Sequence, residues 1–286
     1  MNATTIGWIN GIIGMLIFSG SLPATRAAVA EFDPVFLTAA RAVIAAALGG
    51  LMLLALRQKR PERGDLASLA ITSFGVVLGF PLLTALALQY ITSAHSLVFI
   101  GLLPLATATF GVLRGGERPQ PMFWLFSVIG AALVAGFALS QSDGGSLAGD
   151  LLMVGAIIVC GLGYAEGGAL SRRLGGWQVI SWALLLGAPF MAVLGLATWP
   201  AGWSGISMAA WAGFAYVSTF SMLIGFIFWY RGLALGGIAG VGQLQLIQPF
   251  FGMMLAAALL GETVALSMIG VTAMVVLCVA GARRYA

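Results

Sequence analysis

Apolar runs of about twenty residues recur along almost the whole chain, the length a helix needs to cross a hydrocarbon core of about 30 Å. In lipid every backbone N–H and C=O must be satisfied within the protein, so such runs fold as transmembrane helices. Hydropathy and proline placement give spans at about 6–24, 35–56, 66–88, 94–113, 122–139, 150–170, 177–198, 208–230, 237–260 and 266–282. Pro34, Pro61, Pro119, Pro121 and Pro200 fall between spans, where helices begin or end. Of 286 residues, 60% are hydrophobic and 8% charged, whereas a soluble domain carries about 25% charged residues. The expected fold is an all-α membrane protein of ten transmembrane helices in one polytopic domain. The first apolar run lacks a basic leading region and reads as a helix that stays, not as a cleaved signal.

The two halves share residues at a constant shift of 145 positions. Pro104 pairs with Pro249, Gly116 with Gly261, Glu117 with Glu262 and Gly136 with Gly281; Leu88 with Leu233 and Ala94 with Ala239 follow without a gap. Residues 1–143 and 144–286 are therefore expected to be two five-helix repeats. An odd number of crossings turns the second repeat upside down, which is the inverted-repeat plan of a secondary transporter with a central cavity near mid-depth.

Charge sets the expected orientation. Arg57, Lys59, Arg60 and Arg63 follow the second span, Arg114 and Arg118 the fourth, Arg172 and Arg173 the sixth, Arg231 the eighth, and Arg283 and Arg284 the tenth. With ten spans, these eleven of thirteen Lys and Arg residues share one side, which places both termini in the cytoplasm. Glu31, Asp33, Asp143, Asp150 and Glu262 mark the other side, with Arg26 as its lone base. Trp8, Trp124 and Trp177 are placed toward the inner interface, and Trp199, Trp203 and Trp211 toward the outer, as an aromatic belt.

Several chemistries are not expected. His95 is the single histidine, and Cys160 and Cys278 lie in apolar stretches. No metal set, cofactor, Ser/His/Asp arrangement or phosphate loop is read, and no enzyme. The net charge of +4 comes from short loops and does not indicate nucleic acid.

Ionisable residues inside a membrane are functional candidates by default. Arg41, His95 and Glu166 are the three, with possible charge or gating roles. Arg41 lies about 10 Å below the outer surface and Glu166 about 8 Å above the inner edge, from 1.5 Å per residue. That leaves roughly 12 Å between them in a core of about 30 Å, too far for a direct pair. Arg41 suits a substrate carboxylate, or instead caps carbonyls or reaches an outer acid. Glu166 suits proton coupling, or instead pairs with Arg172, Arg173 or Arg57. His95 is read as a packing side chain or a gate.

Gln243, Gln245 and Gln248 are costly in mid-membrane unless they face protein or water. Gln245 and Gln248 share an α-helical face, and Pro249 frees a carbonyl and kinks the helix. The equivalent stretch, Val98 to Pro104, is apolar and contributes Phe99. A cavity between these helices would be greasy with a few amides, suited to an amphiphile, unless the amides serve as interhelical glue. Phe80, Tyr164, Trp182, Phe220 and Phe226 lie at depths suited to aromatic contact or simple packing. Ser19 to Pro23 can open or bend the first span. Gly7/Gly11, Gly163/Gly167 and Gly232/Gly236 read as close helix packing. Glu117 and Glu262, after helix-ending glycines, read as structural partners of a helix dipole.

Leu37-Thr-Ala-Ala-Arg41, Ala87 to Ala94, Leu103-Pro104, Gly116-Glu117-Arg-Pro119 and Gln245 to Pro249 with Gly261-Glu262 together resemble the drug/metabolite transporter superfamily, in its EamA-type ten-helix branch. Within it the chain resembles the YddG-type aromatic amino acid exporters of the bacterial inner membrane. The resemblance implies two inverted five-helix halves around a cavity, and export of aromatic and other hydrophobic amino acids or hydrophobic cations. It maps the proline helices at Pro104 and Pro249 onto that cavity. The expected partners are a small-molecule substrate and the lipid bilayer, and ten helices suffice for a monomer to form the path. The alternatives are a multidrug or other metabolite exporter of the same fold, and a membrane receptor or enzyme without transport.

Overall fold

A computed structural model describes residues 1–87, 89–91, 96, 99–140, 146–260 and 266–286. The described residues form helices joined by short connections, with no strand among them. In the first half they are α1 (Ala3–Ser19), α2 (Ser21–Val29), α3 (Pro34–Ala55), α4 (Leu66–Thr72), α5 (Phe80–Ala87), α6 (Leu103–Gly115) and α7 (Pro121–Ser140). In the second they are α8 (Leu147–Leu174), α9 (Gly176–Ala197), α10 (Met208–Tyr216), α11 (Gly225–Gly236), α12 (Ile238–Gly242), α13 (Gln248–Leu260) and α14 (Leu266–Tyr285).

Six described stretches are long and apolar enough to cross a membrane: Ala3–Val29, Pro34–Ala55, Arg63–Ala87, Leu147–Leu174, Gly176–Ala197 and Met208–Gly236. Several expected spans take another form. The first divides at Gly20 between α1 and α2. The ninth is three pieces, α12, a 3₁₀ turn at Gln243–Leu246 and α13. Pro249 lacks the N–H that would continue the helix and crowds the residue before it, so the chain restarts there.

The 145-residue shift seen in the sequence recurs in the starts of two helices. Helix α6 begins at 103 and α13 at 248. A π-helical segment interrupts the third span at Ser73–Gly79 and the eighth at Val217–Ile224. Such wide turns concentrate at functional positions.

Glycines set the helix crossings. On α1 and α11, Gly7 faces Gly236, Gly11 faces Gly232 and Gly14 faces Trp229, so these helices run antiparallel. Gly75 meets Gly163 and Gly79 meets Val159, which makes the third span antiparallel to α8. Gly49 against Ser181 and Gly195 against Ala39 give the same relation for α3 and α9. Helices α6 and α8 instead run parallel, with Ala106 at Gly161 and Arg114 at Glu166. The GxxxG pairs of α1 and α11 thus oppose each other, as close packing requires.

Away from the arginine-rich connections, Phe32, Phe36, Trp199, Trp203, Trp211 and Phe214 form an aromatic cluster, with Phe32 and Trp211 at 5.1 Å. Beside it the Ser207 N–H donates to the Glu31 carboxylate at 2.6 Å. Hydrogen bonds from Ser207 hold Glu31 below its ordinary value of 4.5. A lowered folded value makes the tie stabilising above the unfolded pKa and loses it as pH falls through the folded one. Amide exchange at Ser207 is expected to accelerate below about pH 4.5 beyond its intrinsic trend. Glu31→Gln should abolish that excess.

Candidate functional site

Between α1, α2, α3, α5 and α13 lies a cavity of about 470 Å³, within the range of small-molecule sites. The break in the first span creates part of its wall. Helix α1 stops at Ser19, whose hydroxyl bonds the Met15 carbonyl at 2.9 Å and reaches the Gln248 carbonyl at 3.3 Å. Phe18, Ser19, Ser21 and Thr25 then face the cavity. Asp33 starts α3 by accepting the N–H groups of Val35 and Phe36 at 2.9 and 2.8 Å, with Pro34 in the first turn. Two turns later this helix presents Arg41. The π segment leads into Phe80 and Pro81, which tolerates proline's missing donor. The second half contributes Gln248, Pro249 and Gly252.

Of the expected site residues, Arg41, Phe80, Gln248 and Pro249 come together on this wall. Gln245 and Gln243 do not: the turn ends at Leu246 and a new helix starts at Gln248, so Gln245 and Gln248 belong to different elements, and Gln243 and Gln245 are buried in the core. Among the described residues, both amide atoms of Gln243 and the side-chain oxygen of Gln245 meet no hydrogen-bond partner. Tyr164 and Phe226 lie behind the cavity in an aromatic core, with Phe226 5.0 Å from Phe18 and 6.1 Å from Tyr164. Trp182 and Phe99 pack against the core, Pro104 is buried in the first turn of α6, and Phe220 is 46% exposed, stacked on Tyr216. His95 lies outside the described residues. Phe18, Thr84 and Gln89 join the wall without having been legible; the break at Ser19-Gly20 is the one signal that pointed to Phe18.

Glu166 is not in the cavity, and its partner is none of the expected arginines. Arg114 binds it through two nitrogens at 2.8 and 3.1 Å, and the Ser68 hydroxyl donates at 2.6 Å. Arg114 is available because α6 extends to Gly115 and ends on Gly116 at φ 69°, the left-handed region that favours glycine. Arg173 pairs with buried Asp65. Arg172 donates to Glu117 at 2.7 Å. Glu117 also accepts the N–H groups of Ile238 and Ala239, each at 2.6 Å. It therefore caps a helix of the opposite half rather than the helix that follows it. Together these bonds close the arginine-rich end, while the cavity occupies the other.

The EamA-like transporter family matches residues 5–139 and again residues 147–283. The chain belongs to this family. Among its relatives, the uncharacterized transporter YdeK of Bacillus subtilis (strain 168) is 64% identical over 286 residues, covering 100% of both chains. The uncharacterized transporter YyaM of the same organism is 25% identical over 234 residues, 78% of this chain and 76% of that one. A solved crystal structure superposes with a TM-score of 0.80, covering 96% of this chain and 97% of the other. At 19% identity that likeness is one of fold. The cavity is lined from both halves, and the ion pairs lie at the other end of the protein.

Proposed function

We propose that this chain exports amino acids, above all aromatic and other hydrophobic ones, across the bacterial inner membrane by alternating access. The observation that carries this reading is the asymmetry just described: a largely apolar cavity toward one end, cross-half ion pairs at the other. The proposal takes the arginine-rich end as cytoplasmic, with both termini there. Ten spans in two inverted five-helix halves, 1–143 and 144–286, complete it. In support, α6 and α13 start 145 residues apart, and α1 runs antiparallel to α11 just as α8 runs antiparallel to the third span. Rocking of one half against the other then exposes the cavity to either side.

Facilitated movement fits better than proton coupling. The described cavity wall holds no Asp or Glu, and Glu166 is bound to Arg114 away from it. The test is counterflow in proteoliposomes with a panel of labelled amino acids and cationic dyes. Phenylalanine, tyrosine or tryptophan should exchange at least tenfold above protein-free vesicles, and an imposed pH gradient should not drive accumulation. Exchange of dyes alone would replace the amino acid reading with a multidrug one. The absence of any flux would remove transport.

A further inference from the structure

Among the described residues, nothing on the cavity wall balances the charge of Arg41. The described lining includes Arg26 and Arg41 but no carboxylate. The Arg41 Nε is closed off from solvent and meets no acceptor. Among the described residues its guanidinium makes no ion pair. This group carries five N–H donors and stays protonated, so leaving it unpaired inside a membrane is strongly unfavourable. A second group on the same wall is also unsatisfied, the buried Thr84 hydroxyl. An unpaired cation and a free hydroxyl donor make a carboxylate site, since a carboxylate accepts a bidentate guanidinium and further donors. Phe18, Leu37, Phe80 and Pro249 supply apolar surface for the rest of the molecule.

We infer that Arg41, assisted by the Thr84 hydroxyl, selects cargo by its carboxylate. The site then takes hydrophobic organic acids whether or not they carry an α-amino group, and rejects hydrophobic cations. An ammonium would find only amide and hydroxyl oxygens, such as those of Gln89 and Gln248, on the described wall. The inference rests on the transporter reading and specifies the cargo of that same cavity.

Three labelled probes of similar size test it: 3-phenylpropanoate, phenylalanine and phenyltrimethylammonium. In proteoliposomes corrected for protein-free leak, both acids should exchange at least tenfold faster than the cation, and 3-phenylpropanoate no slower than phenylalanine. Arg41→Gln should lose at least tenfold for both acids, and Arg41→Lys should retain more. Equal exchange of acid and cation by the unaltered protein overturns the inference, whatever the variants do. So does full activity for the acids in Arg41→Gln. If nothing moves, the transporter reading fails, and equilibrium binding to the detergent-solubilised protein decides the inference separately. Acid bound tenfold more tightly than the cation upholds it, and binding without that preference overturns it.

Discussion

Replacing Glu117 by alanine should open the arginine-rich end of the protein. One oxygen accepts the Ile238 N–H and the Arg172 guanidinium at 2.6 and 2.7 Å, and the other accepts the Ala239 N–H at 2.6 Å. Ile238 and Ala239 are fully buried, and the first N–H groups of a helix have no partner within it. Alanine leaves both donors unsatisfied at about 1–3 kcal/mol each. The combined loss of about 2–6 kcal/mol is comparable with the few kcal/mol that separate two conformations of one protein. The population open at this end should therefore rise steeply. In a Cys278→Ala background, buried Cys160 on α8 reports it: an impermeant maleimide added from the arginine-rich side should react at least tenfold faster with Glu117→Ala. An unchanged rate would mean that these bonds do not hold the end shut. Glu117→Gln keeps one acceptor oxygen and should fall between.

A clear loss of stability is expected where α1 crosses α11. A Cβ on Gly232 would stand 2.7 Å from the Gly11 backbone nitrogen, and one on Gly7 2.3 Å from that of Gly236. The obstacle in each case is backbone, so no flexible side chain can move aside. Relief requires the helices to separate, and overpacking of this kind costs about 1–3 kcal/mol, occasionally more. Gly136 on α7 has nothing within 4 Å of its Cβ position. There alanine should be neutral or stabilise by up to about 1 kcal/mol, because glycine in a helix costs backbone entropy. Thermal unfolding in detergent should show Gly232→Ala and Gly7→Ala well below the unaltered protein, with Gly136→Ala level or above. Equal midpoints for all three would show that the crossing tolerates a methyl group.

The glycine pairs show how far local pattern reaches. Four-residue spacing identified the faces of α1 and α11 that lie close, because spacing fixes a helix face. The same logic failed for Gln245 and Gln248, because a three-residue interval defines a shared face only within one continuous helix, and these two lie in different elements. The break at Ile247, between the turn at Gln243–Leu246 and the helix that starts at Gln248, leaves one amide in the core and the other on the cavity wall. The aromatic candidates divide for a related reason. Distance along a span gives depth, but the direction around the helix axis depends on which neighbours it meets. Phe80 therefore reaches the cavity while Phe220, at a comparable depth, is largely exposed.

The chain's apolar runs, charge segregation and 145-residue repeat were enough to determine a helical membrane protein of transporter type, because span length and loop charge are local quantities. Tertiary structure decided which charges are spent. Glu166 and Glu117 found partners from distant helices, Arg114 for the first and Arg172 with the start of α12 for the second. Arg41, equally conspicuous in the sequence, was left facing a cavity without one. Pairing depends on which helices meet and at what height, and neither is encoded in any one span.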